Sequence, residues 1–190
     1  MKLLADIGNS QIKVAQNDNQ KLLKIKSFSI EDIEKFRKYI TKTYAIKGCT
    51  LFYSSVLGDK FNRKIKQTLK GIFISETEFK STKSLMTVRN CYKQPSKLGS
   101  DRWAQIVAAH KIFKKNTMIV SCGSAISIDY VTATGIHKGG LILSGAERYK
   151  NCFLDIHNLK NIKLSNNLKE NSNILQSNTL KQITTGYKVM

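Results

Sequence analysis

Residues 3–14 read LLADIGNSQIKV, and the prediction for the whole chain starts from this stretch. An apolar run typical of a buried strand ends in a carboxylate at Asp6, a small polar turn follows, and a second segment alternates apolar and polar positions. The pattern predicts a hairpin whose turn binds phosphate, because glycine permits close approach and adjacent amides attract anions. A carboxylate beside phosphates also indicates a magnesium site. A hairpin with an incidental aspartate is the simpler interpretation of this stretch alone.

The composition is that of a globular protein. The 190 residues, 41% of them hydrophobic, can bury a core in one domain or in two small lobes. The sequence contains no transmembrane span, and Asp6 interrupts the N-terminal apolar stretch before a signal-peptide core could form, so we expect a cytoplasmic protein. The four cysteines are widely spaced and form no CxxC pair, which predicts reduced thiols instead of a zinc site or disulfide framework.

The formal charge of +19 has two interpretations. It could attract polyanions such as nucleic acid or anionic lipid without specificity. It could also reflect only a solvated, lysine-rich surface. The lysines are scattered through nearly every segment, which favours the second interpretation, so nucleic acid is expected to bind non-specifically if at all.

Predicted strands and helices alternate after the hairpin, which indicates an α/β lobe with a mixed sheet. Strands are predicted over 24–30, 50–56 and 72–74. Helices are predicted from two apolar stripes, Ile33, Phe36 and Ile40 in the first and Phe61, Ile65 and Leu69 in the second. Residues 75–98 are predicted to be a long polar connection, either disordered or functional.

A third helix is predicted to follow the tetrapeptide Gly99-Ser100-Asp101-Arg102, with Trp103, Ile106, Val107 and His110 along its inner side. Two roles for Asp101 fit its position. It could be a helix-start residue that satisfies free N–H groups, or it could be a base.

Residues 117–131, TMIVSCGSAISIDYV, repeat the opening pattern of apolar strand, small turn and alternating strand. An offset of 115 residues pairs Gly123 with Gly8 and Ser121 with Asp6. Two such turns from two lobes are what a nucleotide in a central cleft requires. Beyond them, a strand is predicted at 141–143 between glycine turns, and a helix at 179–185.

Taken in order, these motifs resemble those of the type III pantothenate kinases, in the acetate and sugar kinase and actin superfamily. The resemblance covers ADIGNSQIKV, LFYSSV, KLGSDRWAQIVAAH, CGSAISIDYV, GIHKGGLILSG and Ser177-Asn178-Thr179. It implies an α/β fold of two ribonuclease-H-like lobes related by duplication, over residues 1–115 and 116–190. It further implies a homodimer that uses ATP and magnesium to phosphorylate pantothenate to 4'-phosphopantothenate, the first step of coenzyme A biosynthesis.

The resemblance also implies roles for individual residues. Asp101 would accept the proton of the pantothenate hydroxyl, and Asp6 would hold magnesium through water. Nucleotide contacts would come from Asp6, Ile7, Gly8, Asn9, Ser10, Gln11, Ile12 and Lys13, and from Gly123 and Ser124 in the second lobe. Substrate contacts would come from Tyr92, Gly99, Ser100, Asp101, Arg102 and Thr179.

Three positions depart from the family pattern. Ser121 stands where the family has an aspartate that binds a monovalent cation, potassium or ammonium, and a neutral hydroxyl is a poorer ligand. Ser144 replaces a proline. The sequence ends at Met190, before the further elements usual in the family, so a shortened second lobe is expected.

Two other functions stay open at this point. One is a catalytically impaired protein of the same fold that binds nucleotide or a partner. The other is a nuclease-like set of Asp6, Asp101 and Asp129, which would require carboxylates gathered around two metal ions. Asp129 alone is interpreted as structural or supporting, and His110 and His137 are assigned no catalytic role.

Overall fold

The computed structural model describes residues 2–18, 21–44, 48–152, 177–178 and 182–183. The chain divides into two units, Met1–Ile119 with Asp129–Gly139, and Val120–Ile128 with Gly140–Met190. The predicted domain boundary between residues 115 and 116 stays a prediction. The helix predicted at 179–185 lies outside the described residues apart from 182–183. Within the described ranges, no helix has both the length and the apolar character needed to cross a membrane.

The opening hairpin forms as predicted and belongs to a five-stranded sheet. Its strands are β1 (Lys2–Ile7), β2 (Gln11–Asp18), β3 (Lys21–Ser29), β4 (Thr50–Ser55) and β5 (Ser75–Phe79), in the order β3-β2-β1-β4-β5. The first three are antiparallel neighbours, whereas β1, β4 and β5 run parallel. Parallel strands need crossover connections, which α1 (Ile33–Tyr44) and α2 (Asp59–Leu69) supply. This mixed sheet matches the predicted first lobe.

The core of this unit lies where alternate strand positions meet the apolar stripes of the two helices. Leu3 and Leu51 on neighbouring strands pack with Phe36 and Ile40 of α1, and all four side chains are at most 1% exposed. Asp32 caps α1 by accepting a hydrogen bond from the Lys35 N–H at 3.1 Å. Burial of the stripes, as the periodicity predicted, therefore positions both crossover helices on the sheet.

The prediction for the fifth strand is wrong in position. The strand runs through Ser75–Phe79 rather than 72–74, and the polar connection predicted from residue 75 contains it as well as β6 (Ser84–Leu85) and β7 (Val88–Arg89). The apolar signal of 72–74 comes partly from Ile72 and Phe73, which pack on the core without forming a strand. The strand itself, SETEF, is polar because it lies at the edge of the sheet, where charged side chains are common.

The remaining elements are α3 (Ser100–Phe113), β8 (Thr117–Cys122), β9 (Ala125–Val131), β10 (His137–Ser144) and α4 (Ala146–Cys152), with the three strands in the order β10-β9-β8. The third helix and the second strand pair are confirmed. The last strand, β10, is longer than the predicted 141–143, because it begins at His137 and includes Gly139 and Gly140. Gly139 has a φ of +103°, a backbone conformation that favours glycine and lets the strand continue.

Leu51→Ala tests the position of the core. The side chain is 1% exposed, so its truncation should lower the free energy of unfolding by about 2–5 kcal/mol through lost burial and a cavity. Leu22→Ala on β3 is the matched control, because that leucine is 53% exposed and should change stability by at most about 0.5 kcal/mol. Urea denaturation followed by circular dichroism measures both. Equal losses would contradict this core.

Candidate active site

The site is built where the parallel strands β1 and β4 end. The Val56 N–H donates to the carbonyl of Ile7 at 3.2 Å, which holds the two strand ends together. The Ser100 hydroxyl donates to the carbonyl of Ser55 at 3.0 Å and so fixes the first turn of α3 at the same edge. Ligands of α/β sheets bind outside the carboxyl ends of the strands. This edge is therefore where a substrate is expected.

Asp6 and Asp101, the predicted magnesium ligand and the predicted base, come together at this edge. The Ser54 hydroxyl donates to Asp6 Oδ1 at 3.2 Å. Partial burial raises the pKa of Asp6, and the negative charge of Asp101 raises it further, whereas the Ser54 hydrogen bond and the charge of Lys13 act in the opposite direction. The two carboxylates therefore interact electrostatically.

The position of Asp6 fits a magnesium ion. Magnesium in phosphoryl-transfer sites is commonly held by one or two carboxylates, with waters and phosphate oxygens completing its shell. A cation beside Asp6 would also offset the repulsion between the negative charges of Asp6 and Asp101. Among the described residues, no group of three or more His, Cys, Asp and Glu side chains could hold a metal by itself.

Gly99 makes room for the carboxylate of Asp101. A Cβ atom at Gly99 would lie 2.6 Å from Asp101 Oδ1 and 3.8 Å from Cγ1 of Val56. The first distance is far shorter than a normal contact, so any larger residue would force the carboxylate to move. Glycine at this position thus allows the conformation of the predicted base.

The turn of the opening hairpin is only partly as expected. Its exposed residues include Asn9, Ser10, Gln11 and Lys13, as expected for phosphate contacts. The Gly8 N–H, in contrast, bonds the carbonyl of Gln11 at 2.9 Å and is used within the turn.

Two of the nucleotide contacts implied by the resemblance have side chains in the core. Ile7 and Ile12 are 1% and 0% exposed. Only their backbone could therefore reach a nucleotide.

The second turn lies in the other unit and is one residue shorter. The Gly123 N–H donates to the carbonyl of Ala125 at 3.0 Å, two residues on, whereas Gly8 bonds three residues on. The Gly145 N–H donates to the carbonyl of Ser124 at 3.2 Å, and a Cβ at Gly145 would lie 2.6 Å from that same oxygen. Gly145 therefore supports this turn, a role the sequence pattern did not indicate. Ser121 is the next-to-last residue of β8, as Asp6 is of β1.

Arg102, a predicted substrate contact, is held by a buried ion pair. Its Nε donates to Asp129 Oδ2 at 2.8 Å, and its Nη2 donates to Asp129 Oδ1 at 2.7 Å. Its Nη1 donates to the hydroxyl of Tyr92 at 3.4 Å, so two predicted substrate contacts lie together. His137 Nε2 is 3.0 Å from Asp129 Oδ1.

These contacts stabilise the charges of the pair. Burial alone would raise the pKa of Asp129, but hydrogen bonds from His137 and Arg102 more than offset this and hold the pKa below its ordinary value. The hydrogen bonds to Asp129 in turn raise the pKa of Arg102. The sequence did not predict the contact between Arg102 and Asp129, because 27 residues separate them and no local pattern links them.

A cleft of about 400 Å³ opens beside the first turn of α3. Its lining includes Ser55 and Phe79 at the ends of β4 and β5, together with Gly99 and Ser100. Two of the predicted substrate contacts, Gly99 and Ser100, therefore line this cleft. Two others, Tyr92 and Arg102, are hydrogen-bonded to each other. Thr179 lies outside the described residues. Asp129 is engaged by Arg102 and His137, which gives no support to a nuclease-like carboxylate set.

Comparison with known proteins identifies relatives of this chain. Residues 2–190 match the family described as Type III pantothenate kinase. A type III pantothenate kinase from Nitrosococcus oceani is 33% identical over 153 residues, which cover 76% of this chain and 57% of that protein. Another, from Pseudomonas aeruginosa, is 36% identical over 101 residues, covering 53% and 40%. The chain spans about half the length of the curated relatives it matches.

Solved structures support the fold. A conserved Campylobacter jejuni protein, described as of the Baf family of transcriptional activators, matches with a TM-score of 0.59 and 26% identity, covering 97% of this chain and 72% of that one. A protein described as a 2-dehydro-3-deoxygalactonokinase, from Sinorhizobium meliloti, matches with a TM-score of 0.55 and 8% identity, covering 88% and 60%. The second match bears on the fold alone, and the predicted α/β fold of the sugar kinase and actin type is confirmed.

Asp101→Asn tests whether the two carboxylates interact. Removing the charge of Asp101 should lower the pKa of Asp6, because ionisation of Asp6 would no longer be opposed by a negative neighbour. NMR titration of the Asp6 carboxyl carbon measures the change. Asp18→Asn, at the opposite end of β2, is the control and should leave the Asp6 titration unchanged. An identical Asp6 pKa in wild type and Asp101→Asn would show that the two carboxylates do not interact.

Proposed function

The chain belongs to the type III pantothenate kinase family, and from this premise we propose that it transfers the terminal phosphoryl group of ATP to pantothenate, giving 4'-phosphopantothenate in the first step of coenzyme A biosynthesis. The observation that carries the proposal is geometric: Asp6 lies at the carboxyl end of β1 beside β4, and the hydrogen bond from Ser100 to the carbonyl of Ser55 holds the first turn of α3, which contains Asp101, at the same edge. Phosphoryl transfer requires mainly positioning and charge neutralisation, with a carboxylate that takes the proton of the acceptor.

In this proposal each carboxylate has one task. Asp101 accepts the proton of the pantothenate hydroxyl as that oxygen attacks the phosphorus, and Gly99 leaves space for its carboxylate. Asp6 would hold magnesium, which when bound would neutralise charge at the phosphate oxygens. Lys13, which faces Asp6 across the hairpin in the strand register, adds a positive charge for the phosphates.

The remaining contacts are assigned to the two substrates, pantothenate and ATP. Tyr92, Ser100, Arg102 and Thr179 are proposed to position pantothenate. The opening turn, with Gly123 and Ser124 of the second unit, is proposed to contact the nucleotide phosphates. Ser121 is proposed as the position of a monovalent cation, potassium or ammonium, with a neutral oxygen in place of a carboxylate. A homodimer in the cytoplasm completes the proposal.

Asp101→Asn is the direct test of the base. Loss of the proton acceptor should lower kcat by about 100- to 10,000-fold, while calorimetry should show that pantothenate still binds. Asp59→Asn is the matched control, because Asp59 also lies in the first turn of a helix, α2, and should keep full activity. Release of ADP in the presence of magnesium and pantothenate measures turnover.

The same assay separates the main alternative. A wild-type chain that binds ATP but releases no ADP with pantothenate would support a catalytically impaired nucleotide-binding protein. Full activity of Asp101→Asn would refute the proposed base.

Gly99→Ala tests the position of the base without altering its chemistry. The new methyl group should displace the carboxylate of Asp101 and lower kcat by about 100-fold, the effect of a misplacement of about 1 Å. Gly58→Ala is the matched control, since Gly58 also precedes a helix and no atom lies within 4 Å of the place that an added Cβ would take. Both variants should unfold within about 0.5 kcal/mol of wild type. Equal activities of the two variants would contradict this role of Gly99.

A further inference from the structure

Arg102 is the centre of a buried polar network that the proposed reaction does not yet explain. Its side chain, with those of Asp129 and His137, is almost completely enclosed, with residue exposures of 8%, 2% and 0%. Burying charged groups is unfavourable unless they are paired and hydrogen-bonded. The pairing of Arg102 with Asp129 is therefore what allows these charges to be buried, next to Asp101, the proposed base.

The guanidinium has few donors left for a ligand. An arginine has five N–H donors in a rigid planar arrangement. Two are used by the oxygens of Asp129 and one by the hydroxyl of Tyr92. At most two remain. Because the group is planar, the bidentate contact with Asp129 decides the direction in which those two point.

Asp129 is itself fixed from its other side. His137 Nε2 lies 3.0 Å from Asp129 Oδ1, the oxygen that Arg102 Nη2 also contacts. The imidazole of His137 is held in turn, because its Nδ1 lies 3.5 Å from the Cys91 sulfur and its ring stacks on Tyr92 with centroids 6.2 Å apart and planes 16° apart. Arg102 is thus held by Asp129, and Asp129 is held in turn by His137.

We infer that Asp129 and His137 are positioning residues for the acceptor substrate, holding Arg102 so that its two remaining N–H groups bind oxygen atoms of pantothenate next to Asp101. The inference rests on the proposed function. Neither residue touches the reacting atoms; both act through the guanidinium. A planar guanidinium held in this way offers directional donors, which a lysine at the same place would not provide.

The test compares the Michaelis constants for the two substrates. His137→Leu and Asp129→Asn should raise the KM for pantothenate by about tenfold or more and leave the KM for MgATP within about twofold, because only acceptor binding loses its fixed donors. His137→Gln should restore a KM near wild type, since its amide N–H can still donate to Asp129. A structural role alone would not produce this split or this rescue.

His110→Leu is the matched control for a buried imidazole. His110 is 7% exposed and makes its own contacts, 3.3 Å to the hydroxyl of Thr87 and 3.2 Å to the carbonyl of Ala133. Its loss should reduce stability while the KM for pantothenate stays as in wild type. An equal rise of this KM in His110→Leu and His137→Leu would overturn the inference, since both would then act through stability.

A measurement on the unaltered protein keeps the test decisive if the variants fold poorly. The Nε–H resonance of Arg102, identified by its absence from Arg102→Lys, should exchange slowly with solvent and should shift when pantothenate is added. A fast-exchanging signal, or one that pantothenate leaves in place, would overturn the inference. Inactive wild-type protein would refute the proposed function, whereas active protein whose Asp129→Asn variant keeps its KM would refute this inference alone.

Discussion

Parallel pairing of β1 with β4 is the constraint on which the candidate site depends. The register sets Asp6 opposite Ser54 and Ile7 opposite Ser55, so both strands end at one edge of the sheet. Antiparallel pairing would have sent the two ends to opposite edges. The hydrogen bond from Ser100 to the carbonyl of Ser55 then anchors α3 at this edge, and Asp101, the proposed base, follows one residue later. A backbone arrangement thus places two carboxylates from distant parts of the sequence together.

The buried ion pair of Arg102 and Asp129 is a second constraint, and it is a costly one. Loss of one partner from a buried pair typically destabilises a protein by about 3–5 kcal/mol, since the other charge is left uncompensated. Apolar residues of similar size often give equal stability. Stability alone therefore explains this pair poorly, whereas the role proposed for a fixed guanidinium next to Asp101 would account for both the pair and its support by His137.

The sequence predicted those features that local patterns encode. The hairpin, the buried stripes of α1 and α2 and the start of α3 follow from periodicity and from turn residues. The fifth strand was misplaced, because a polar edge strand lacks the apolar alternation on which such predictions rely. The roles of Asp129, His137 and Gly145 could not be predicted, because they depend on contacts between segments far apart in the chain. Their side chains carry no signal until the fold brings them together.

The proposed phosphoryl transfer to pantothenate, with Asp6 near the end of β1 and Asp101 in the first turn of α3, can be tested without any variant. The measurement is phosphorus NMR of the wild-type protein incubated with ATP, magnesium and pantothenate. A new phosphomonoester signal should grow as the γ-phosphate signal of ATP falls, and mass spectrometry should give the mass of phosphopantothenate. Loss of the γ-phosphate signal to inorganic phosphate alone, or no change in ATP, would contradict this chemistry.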